Sequence, residues 1–390
     1  MNWQLYLQLS LMMFIQFAVW GAWSPVLAAR LLGPLKMSGK QTGWIYGSIY
    51  IGCIISPFIG GQIADRWVPT QYFLAAAHLA GGVLLLVAAR QRRFGPLLAV
   101  MLLYALAFAP TLALIFSLMY RHLPQGSQAF LVLVWGTVGW AVAGWGLTLW
   151  RRVRGSGEGE DCLILAGLLS LVLGVYCFAL PHTPPKLDVP LLEALSLLNK
   201  GNFLIYLVVL FLVATQLQFF FLGTAPYLMD LGLPGRQIPA AMTVAQVAQV
   251  GATLAIGYWM NAVNNQIVYY WPFIAGIAMW LAMYAIYALM PRRIPVILAQ
   301  GLHGMAYTLA IWLGTYYVGK TAPPEMGGSA QGLNTVVIFG FGFFLGTQFT
   351  GIVMDKLKTP QGSFRWRPLF LVPCVLTLVC LIVMAALFRG

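Results

Sequence analysis

Gln246 and Gln249 stand three residues apart, and His303 and Tyr307 four apart. On an α-helix both spacings put the pair on one face. Gln16 and Trp20 obey the same rule, as do Leu133, Thr137 and Trp140 on another run. Gln218 lies three residues before Phe221. An amide side chain carries donors and an acceptor, an indole carries one donor, and an imidazole donates, accepts or titrates near neutral pH. Together these groups suit a flat, uncharged ring whose faces stack on aromatics and whose edges meet amides. Each also has a plainer reading. A glutamine inside lipid can bond a neighbouring helix. His303 and His78 can each be structural, satisfied by one hydrogen bond. Trp20, Trp23, Trp135 and Trp140 can be packing residues or interface anchors, Trp23 more readily than Trp140.

Enzyme chemistry finds little support. The chain has no G-x-x-x-x-G-K-[ST], no H-E-x-x-H and no paired carboxylates inside an apolar run. Cys53, Cys162, Cys177, Cys374 and Cys380 lack metal-ligand spacing and read as small packing residues. Neither a metal nor a cofactor is expected, and a nucleotide-driven pump would need a domain for which there is no room.

The elements that position these residues are twelve long apolar runs. Hydrophobic residues make up 61% of the 390, and only nine are Asp or Glu, all at or beyond run ends. The mean hydropathy is +0.83. A span needs about 20 apolar residues to cross about 30 Å of hydrocarbon, and within lipid such a run must be helical because no water satisfies a bare backbone. The sequence therefore predicts an all-α integral membrane protein. Spans are expected near 4–31, 42–64, 70–89, 96–119, 128–150 and 162–180, then near 202–229, 238–261, 267–289, 295–318, 328–353 and 368–388. The first run lacks a basic leader and a small-residue cleavage site, so it reads as a retained span. The net charge of +13 comes from residues between runs, which favours membrane anchoring over nucleic acid.

A proline-containing segment, Pro181 to Lys200, separates the sixth run from the seventh and ends in the amphipathic LLEALSLL. The division predicts twelve transmembrane helices in two six-helix bundles, residues 1–180 and 202–390, joined by a linker at 181–201. An internal repeat supports it: Gly61, Asp65 and Arg66 end the second run, and Gly351, Asp355 and Lys356 end the eleventh, both reading G-x-x-x-D-[RK]. The glycine permits close helix approach, and the acid-base pair can bridge helix ends. Pro25, Pro57, Pro110 and Pro226 mark candidate kinks.

The first of these signatures resembles the loop motif of the major facilitator superfamily, without that motif's later basic pair. Further stretches, in order along the chain, resemble the bacterial nucleoside/proton symporters: MNWQLYLQLSLMMFIQFAVWGAW, GGQIADRW, FAPTLAL, VWGTVGW, ALPHTP and SAQG at Ser329. The resemblance implies the major facilitator fold, a central cavity, alternating access, a cytoplasmic linker and a bacterial inner-membrane location. It maps that family's arginine onto Leu133, its threonine onto Thr137 and its aromatic onto Trp140. Its glutamine and asparagine on the seventh span fall at Gln218 and Phe221. Its glutamine and glutamate on the eighth fall at Gln246 and Gln249. Its tyrosine, phenylalanine and aspartate on the tenth fall at His303, Tyr307 and Thr308. One cation and two acids are thus replaced by neutral residues.

The expectation is a secondary transporter, acting as a monomer, for a small neutral solute, a nucleoside first of all. It would be weakly coupled or uncoupled to protons, because Gln249 and Thr308 do not titrate. Alternatives are a proton-coupled symporter or drug-efflux carrier using His303, or Asp230 if it faces a cavity, and a non-transporting receptor or lipid-active membrane enzyme. On orientation two arguments collide, and the one kept is the resemblance's, both termini inside. Loops such as those holding Arg90, Arg92, Arg93, Arg151, Arg152 and Arg154 carry most of the positive charge and favour termini outside, whereas the resemblance implies termini inside.

Overall fold

The computed structural model describes residues 3–123, 127–155, 159–185, 191–262, 268–323 and 326–389, and the side chains of 57–66, 127–130, 191–192, 261–262 and 328 lie outside the described set. The chain is helical almost throughout. The first half comprises α1 (Trp3–Trp23), α2 (Leu27–Leu32), α3 (Gly39–Arg66), α4 (Thr70–Ala89), α5 (Phe94–His122), α6 (Ser127–Arg154) and α7 (Asp161–Tyr176). The second comprises α8 (Gly201–Asp230), α9 (Ile238–Ala241), α10 (Val244–Ala262), α11 (Tyr270–Leu289), α12 (Arg293–Ala306), α13 (Leu313–Thr321), α14 (Gly327–Thr335), α15 (Phe343–Leu357) and α16 (Trp366–Leu387). Among the described residues, eleven helical stretches have the length and hydropathy to cross a membrane. The 28-residue α3 occupies the place of the expected second span. Gly61, Asp65 and Arg66 lie on α3, but their side chains fall outside the described residues.

Local departures from plain α-helix follow from residue chemistry. The first span breaks at Ser24–Val26, because Pro25 offers no N–H and its ring obstructs the preceding turn. The Tyr46 hydroxyl mends the break: it donates to the Ser24 carbonyl at 2.6 Å and accepts from the Ala28 N–H at 2.9 Å. The tenth and eleventh spans each contain a π-helical segment, Tyr307–Trp312 and Val336–Gly342, which sequence periodicity does not reveal. Such segments widen the helix locally and recur at functional sites. The amphipathic stretch within the linker forms a 3-10 helix, Leu191–Asn199.

The chain forms two compact units. The first holds residues 1–37, 44–187 and 235–243, and the second holds 38–43, 188–234 and 244–390. Within the first unit α1 packs on α6 and α7, and α4 packs on α5 and α7. Its 235–243 stretch is tied to α6: the Ala240 N–H donates to Thr148 Oγ1 at 2.9 Å, and Trp145 Nε1 donates to Thr243 Oγ1 at 2.8 Å. Arg151 makes a buried two-pronged ion pair with Asp161, at 2.6 and 2.7 Å, and donates to the Gly235 carbonyl.

Within the second unit α11 packs on α12 and α16, α10 on α12, and α15 on α8. A side chain at Gly304 would run into the Ala245 carbonyl oxygen, so that glycine sets how closely α12 approaches α10. The repeat residue Asp355 takes the N–H groups of Gly39 and, at 2.9 Å, Lys40. These are orphan donors of the α3 N-terminus, and a carboxylate there also meets the positive end of the helix dipole. Gly351 permits this approach, since a Cβ on it would meet the Gly39 carbonyl oxygen. Lys356 is exposed. Asp355→Ala should therefore lower stability by about 1 kcal/mol, the usual cost of a lost N-cap. Asp355→Asn, which keeps one acceptor, should lose less. Thermal unfolding of the purified protein in detergent reads both, and an unchanged midpoint in the alanine variant contradicts the capping role.

Candidate solute-binding site

The predicted site residues fall into two clusters, one within each unit. In the first, α1 brings Gln16 and Trp20 to α6, which carries Thr137 and Trp140. Gln16, Trp20 and Thr137 are buried, Gln16 completely, and Trp140 is half-buried. Gln16 Nε2 donates to Thr111 Oγ1 at 2.8 Å, and that hydroxyl donates onward to the Phe108 carbonyl at 2.6 Å. Trp20 and Trp140 lie 5.6 Å apart between ring centroids, and Trp20 also meets Phe108 edge-on. Three polar atoms are then left over. Gln16 Oε1, Trp20 Nε1 and Trp140 Nε1 are buried without a hydrogen-bond partner. Leu133, where the resemblance places an arginine, is a buried apolar residue beside them in sequence.

The second cluster gathers Gln218, Phe221, Gln246, Gln249, His303, Tyr307 and Thr308 from α8, α10 and α12 with its π segment. Gln218 is fully buried, and Phe221, Gln246 and Gln249 are each about 8% exposed. His303 sits in an aromatic box. Its ring stacks on Phe220 at 3.9 Å and 10°, meets Phe221 edge-on at 5.8 Å, and lies 6.0 Å from Tyr307. Trp280 of α11 donates from Nε1 to His303 Nδ1 at 3.1 Å. Thr308 is occupied by protein: its hydroxyl pairs with Thr253 Oγ1 at 3.1 Å and reaches the Gln249 and Gly304 carbonyls at 3.4 Å. Gln246 Oε1 has no partner, and neither end of Gln300 has one.

Gln300 and Trp280 were not anticipated. Gln300 precedes His303 by three residues and so shares its face, a signal that was available. Trp280 lies in an apolar run of another span, and only the fold pairs it with His303. Other residues resolve into structural roles. Trp23 is fully buried against Tyr46 and Tyr104. Trp135 is 40% exposed and donates to the Tyr6 hydroxyl. His78 is buried against Ser170, with its Nδ1 3.3 Å from the hydroxyl. Asp230 does not face a cavity. It ends α8 exposed, accepting from the Ser363 hydroxyl and from Trp366 Nε1.

The nucleoside H+ symporter family model matches residues 3–390. The chain belongs to that family. Its relatives include the putative nucleoside transporter YegT of Escherichia coli, 31% identical over 98% of this chain and 93% of YegT. The xanthosine permease of the same organism is 27% identical over 94% of this chain and 91% of the permease. The crystal structure of the nucleoside transporter NupG superposes with a TM-score of 0.82 at 24% identity, covering 100% of both chains. The fold is thus that of the major facilitator superfamily, and the protein is a multi-pass membrane transporter, not an enzyme.

Within this symporter-family chain the bare polar atoms carry a cost of their own. An unbonded buried amide destabilises a protein by about 1–3 kcal/mol. A glutamine kept for structure would be bonded, and replacing it would destabilise. Gln300 is bonded at neither end, so Gln300→Leu, nearly equal in volume, should raise the thermal midpoint of the solute-free protein. Differential scanning fluorimetry in detergent checks this, and a fall in the midpoint would identify Gln300 as a structural residue.

Proposed function

We propose that this protein carries nucleosides across the bacterial inner membrane by alternating access of two six-helix bundles, residues 1–180 and 202–390, without obligatory proton coupling. The observation that carries the reading is the set of bare, buried hydrogen-bonding atoms: Gln16 Oε1, Trp20 Nε1 and Trp140 Nε1 in one unit, Gln246 Oε1 and both ends of Gln300 in the other. Buried polar atoms are ordinarily paired, so unpaired amides and indoles within either unit are groups that a hydrogen-bonding solute could satisfy. Both donors and acceptors are represented, which suits a base and a ribose better than an ion. The membership in the nucleoside H+ symporter family, and relatives named for nucleoside and xanthosine transport, support the substrate class.

Coupling to protons needs a group that gains a proton in one state and loses it in another, usually an intramembrane acid. Here the corresponding positions are Gln249 and Thr308, and the Thr308 hydroxyl is already engaged by Thr253. The membrane-embedded acid of a symporter is therefore replaced by groups that stay neutral.

The test is uptake by the full chain in proteoliposomes with radiolabelled uridine, inosine and xanthosine. Saturable uptake of at least one nucleoside is expected, with internal concentration rising only to the external one and indifferent to a protonophore. Accumulation under an inward proton gradient, abolished by the protonophore, would transfer the protein to the symporters proper. Absence of flux with binding intact would make it a receptor. Gln246→Leu should weaken binding of the transported nucleoside by about 1–3 kcal/mol, because the substrate group it meets would lose its partner. Isothermal titration in detergent measures the difference, and unchanged affinity removes Gln246 from the site.

A further inference from the structure

His303 does not hang free among the aromatic residues: its orientation and its proton are both set by neighbours. The face of the imidazole lies on Phe220, nearly parallel, and Phe221 closes one edge. Rotation of the ring would drive it into one or the other. Trp280 Nε1 then points at Nδ1 from 3.1 Å. An indole nitrogen is only ever a donor. For this contact to be a hydrogen bond, Nδ1 must be the bare nitrogen, so the single proton of the neutral ring sits on Nε2. A proton added at Nδ1 would face the indole N–H head-on, donor against donor. His303 as a whole is 4% exposed, and its remaining edge, Nε2–H, has no hydrogen-bond partner among the described residues.

We propose that Trp280 is a positioning residue that locks His303 as a neutral, Nε2-protonated hydrogen-bond donor, and that this donor bonds an acceptor atom on the base edge of a nucleoside. The proposal rests on the nucleoside-transport reading for its substrate and on geometry alone for the lock. Its acceptor would be a ring nitrogen or an exocyclic carbonyl, groups that every common base carries on some edge, which suits a broad carrier more than a narrow one. It also gives His303 a role opposed to proton carriage. The groups packed on the ring are Phe220 and Phe221 from α8, Trp280 from α11 and Tyr307 from its own span. From α10, which packs on α12, the cluster draws the Gln246 and Gln249 amides, and both are neutral. None of these is a carboxylate that would hold an imidazolium in place.

Two measurements separate the lock from the substrate reading. The first needs no nucleoside. Nitrogen-15 NMR of histidine-labelled full-length protein in lipid, with His303→Gln used to assign the signal among four histidines, reports which ring nitrogen holds the proton. From pH 8 to pH 5 the wild-type ring is expected to remain in one form, Nδ1 bare and hydrogen-bonded, Nε2 protonated. Free histidine titrates near pH 6.5, so appearance of the doubly protonated ring within that range, or of the Nδ1–H form, would overturn the lock. In Trp280→Phe the Nδ1 signal should move as the indole hydrogen bond disappears, and the proton should divide between the two nitrogens. An unchanged spectrum in that variant would overturn the assignment of Trp280.

The second measurement is equilibrium binding of radiolabelled uridine and inosine. His303→Gln places an amide N–H close to the lost Nε2–H and should retain affinity within about threefold, while His303→Leu should lose more than about tenfold, the worth of one hydrogen bond to a buried group. Equal binding by the leucine variant would overturn the donor role even if the NMR result stands. Failure of the wild type to bind either nucleoside would count against the transport reading and the acceptor contact drawn from it, and leave the lock to be judged by its spectrum.

Discussion

In hydrocarbon a polar group finds no water, and leaving one unpaired costs several kcal/mol. Much of this molecule follows from that cost. It makes every span helical, since an α-helix bonds its own backbone. It explains why Tyr46 is turned onto the break in the first span, where Pro25 would otherwise strand a carbonyl and an N–H. It explains why Asp355 closes on the α3 N-terminus, where the first N–H groups of any helix lack partners. It also accounts for the many threonines and serines that bond a carbonyl of the preceding turn, as Thr111, Thr215, Thr315 and Thr347 do.

Against that background the exceptions carry information. Gln16, Trp20 and Trp140 in one unit, and Gln246 and Gln300 in the other, keep buried atoms unbonded. Other buried atoms are bare too, Ser10 Oγ, Thr42 Oγ1 and Thr350 Oγ1 among them, so what distinguishes these is their amide and indole chemistry. Each unit also has its aromatic contacts: tilted indoles in the first, and an imidazole stacked on a phenylalanine in the second.

The same economy governs the neutral groups of the second cluster. A titrating acid inside a bundle needs partners in both protonation states. Thr308 instead makes a hydroxyl pair with Thr253, and Asp230 has been moved out of contention to the end of α8, where Ser363 and Trp366 hold it. The π-helical segment that begins at Tyr307 lies one turn after His303, so the irregular stretch of the tenth span adjoins the aromatic box. Neutral groups and local backbone irregularity, with no carboxylate among the described residues of the cluster, characterise this part of the second unit.

The sequence by itself determined the class of molecule: run length and hydropathy require membrane-spanning helices, and the i, i+3 and i, i+4 spacings fix which residues share a face. Those are properties of one helix at a time, and periodicity reports them directly. It also placed Gln246, Gln249, His303 and Tyr307 on common faces, and the fold brings α10 and α12 together with Gly304 at the contact. What it could not supply was any pairing between helices. That Trp280 meets His303 across 23 residues, that Asp355 takes the N–H groups of Gly39 and Lys40 across more than 300, and that Thr308 is already bonded to Thr253 are outcomes of how close two helices lie and how each is rotated. Rotation and distance are set by the summed packing of many side chains, of which no short stretch of sequence is a record. Tertiary structure alone therefore decided which polar atoms are bonded within the protein and which are left bare.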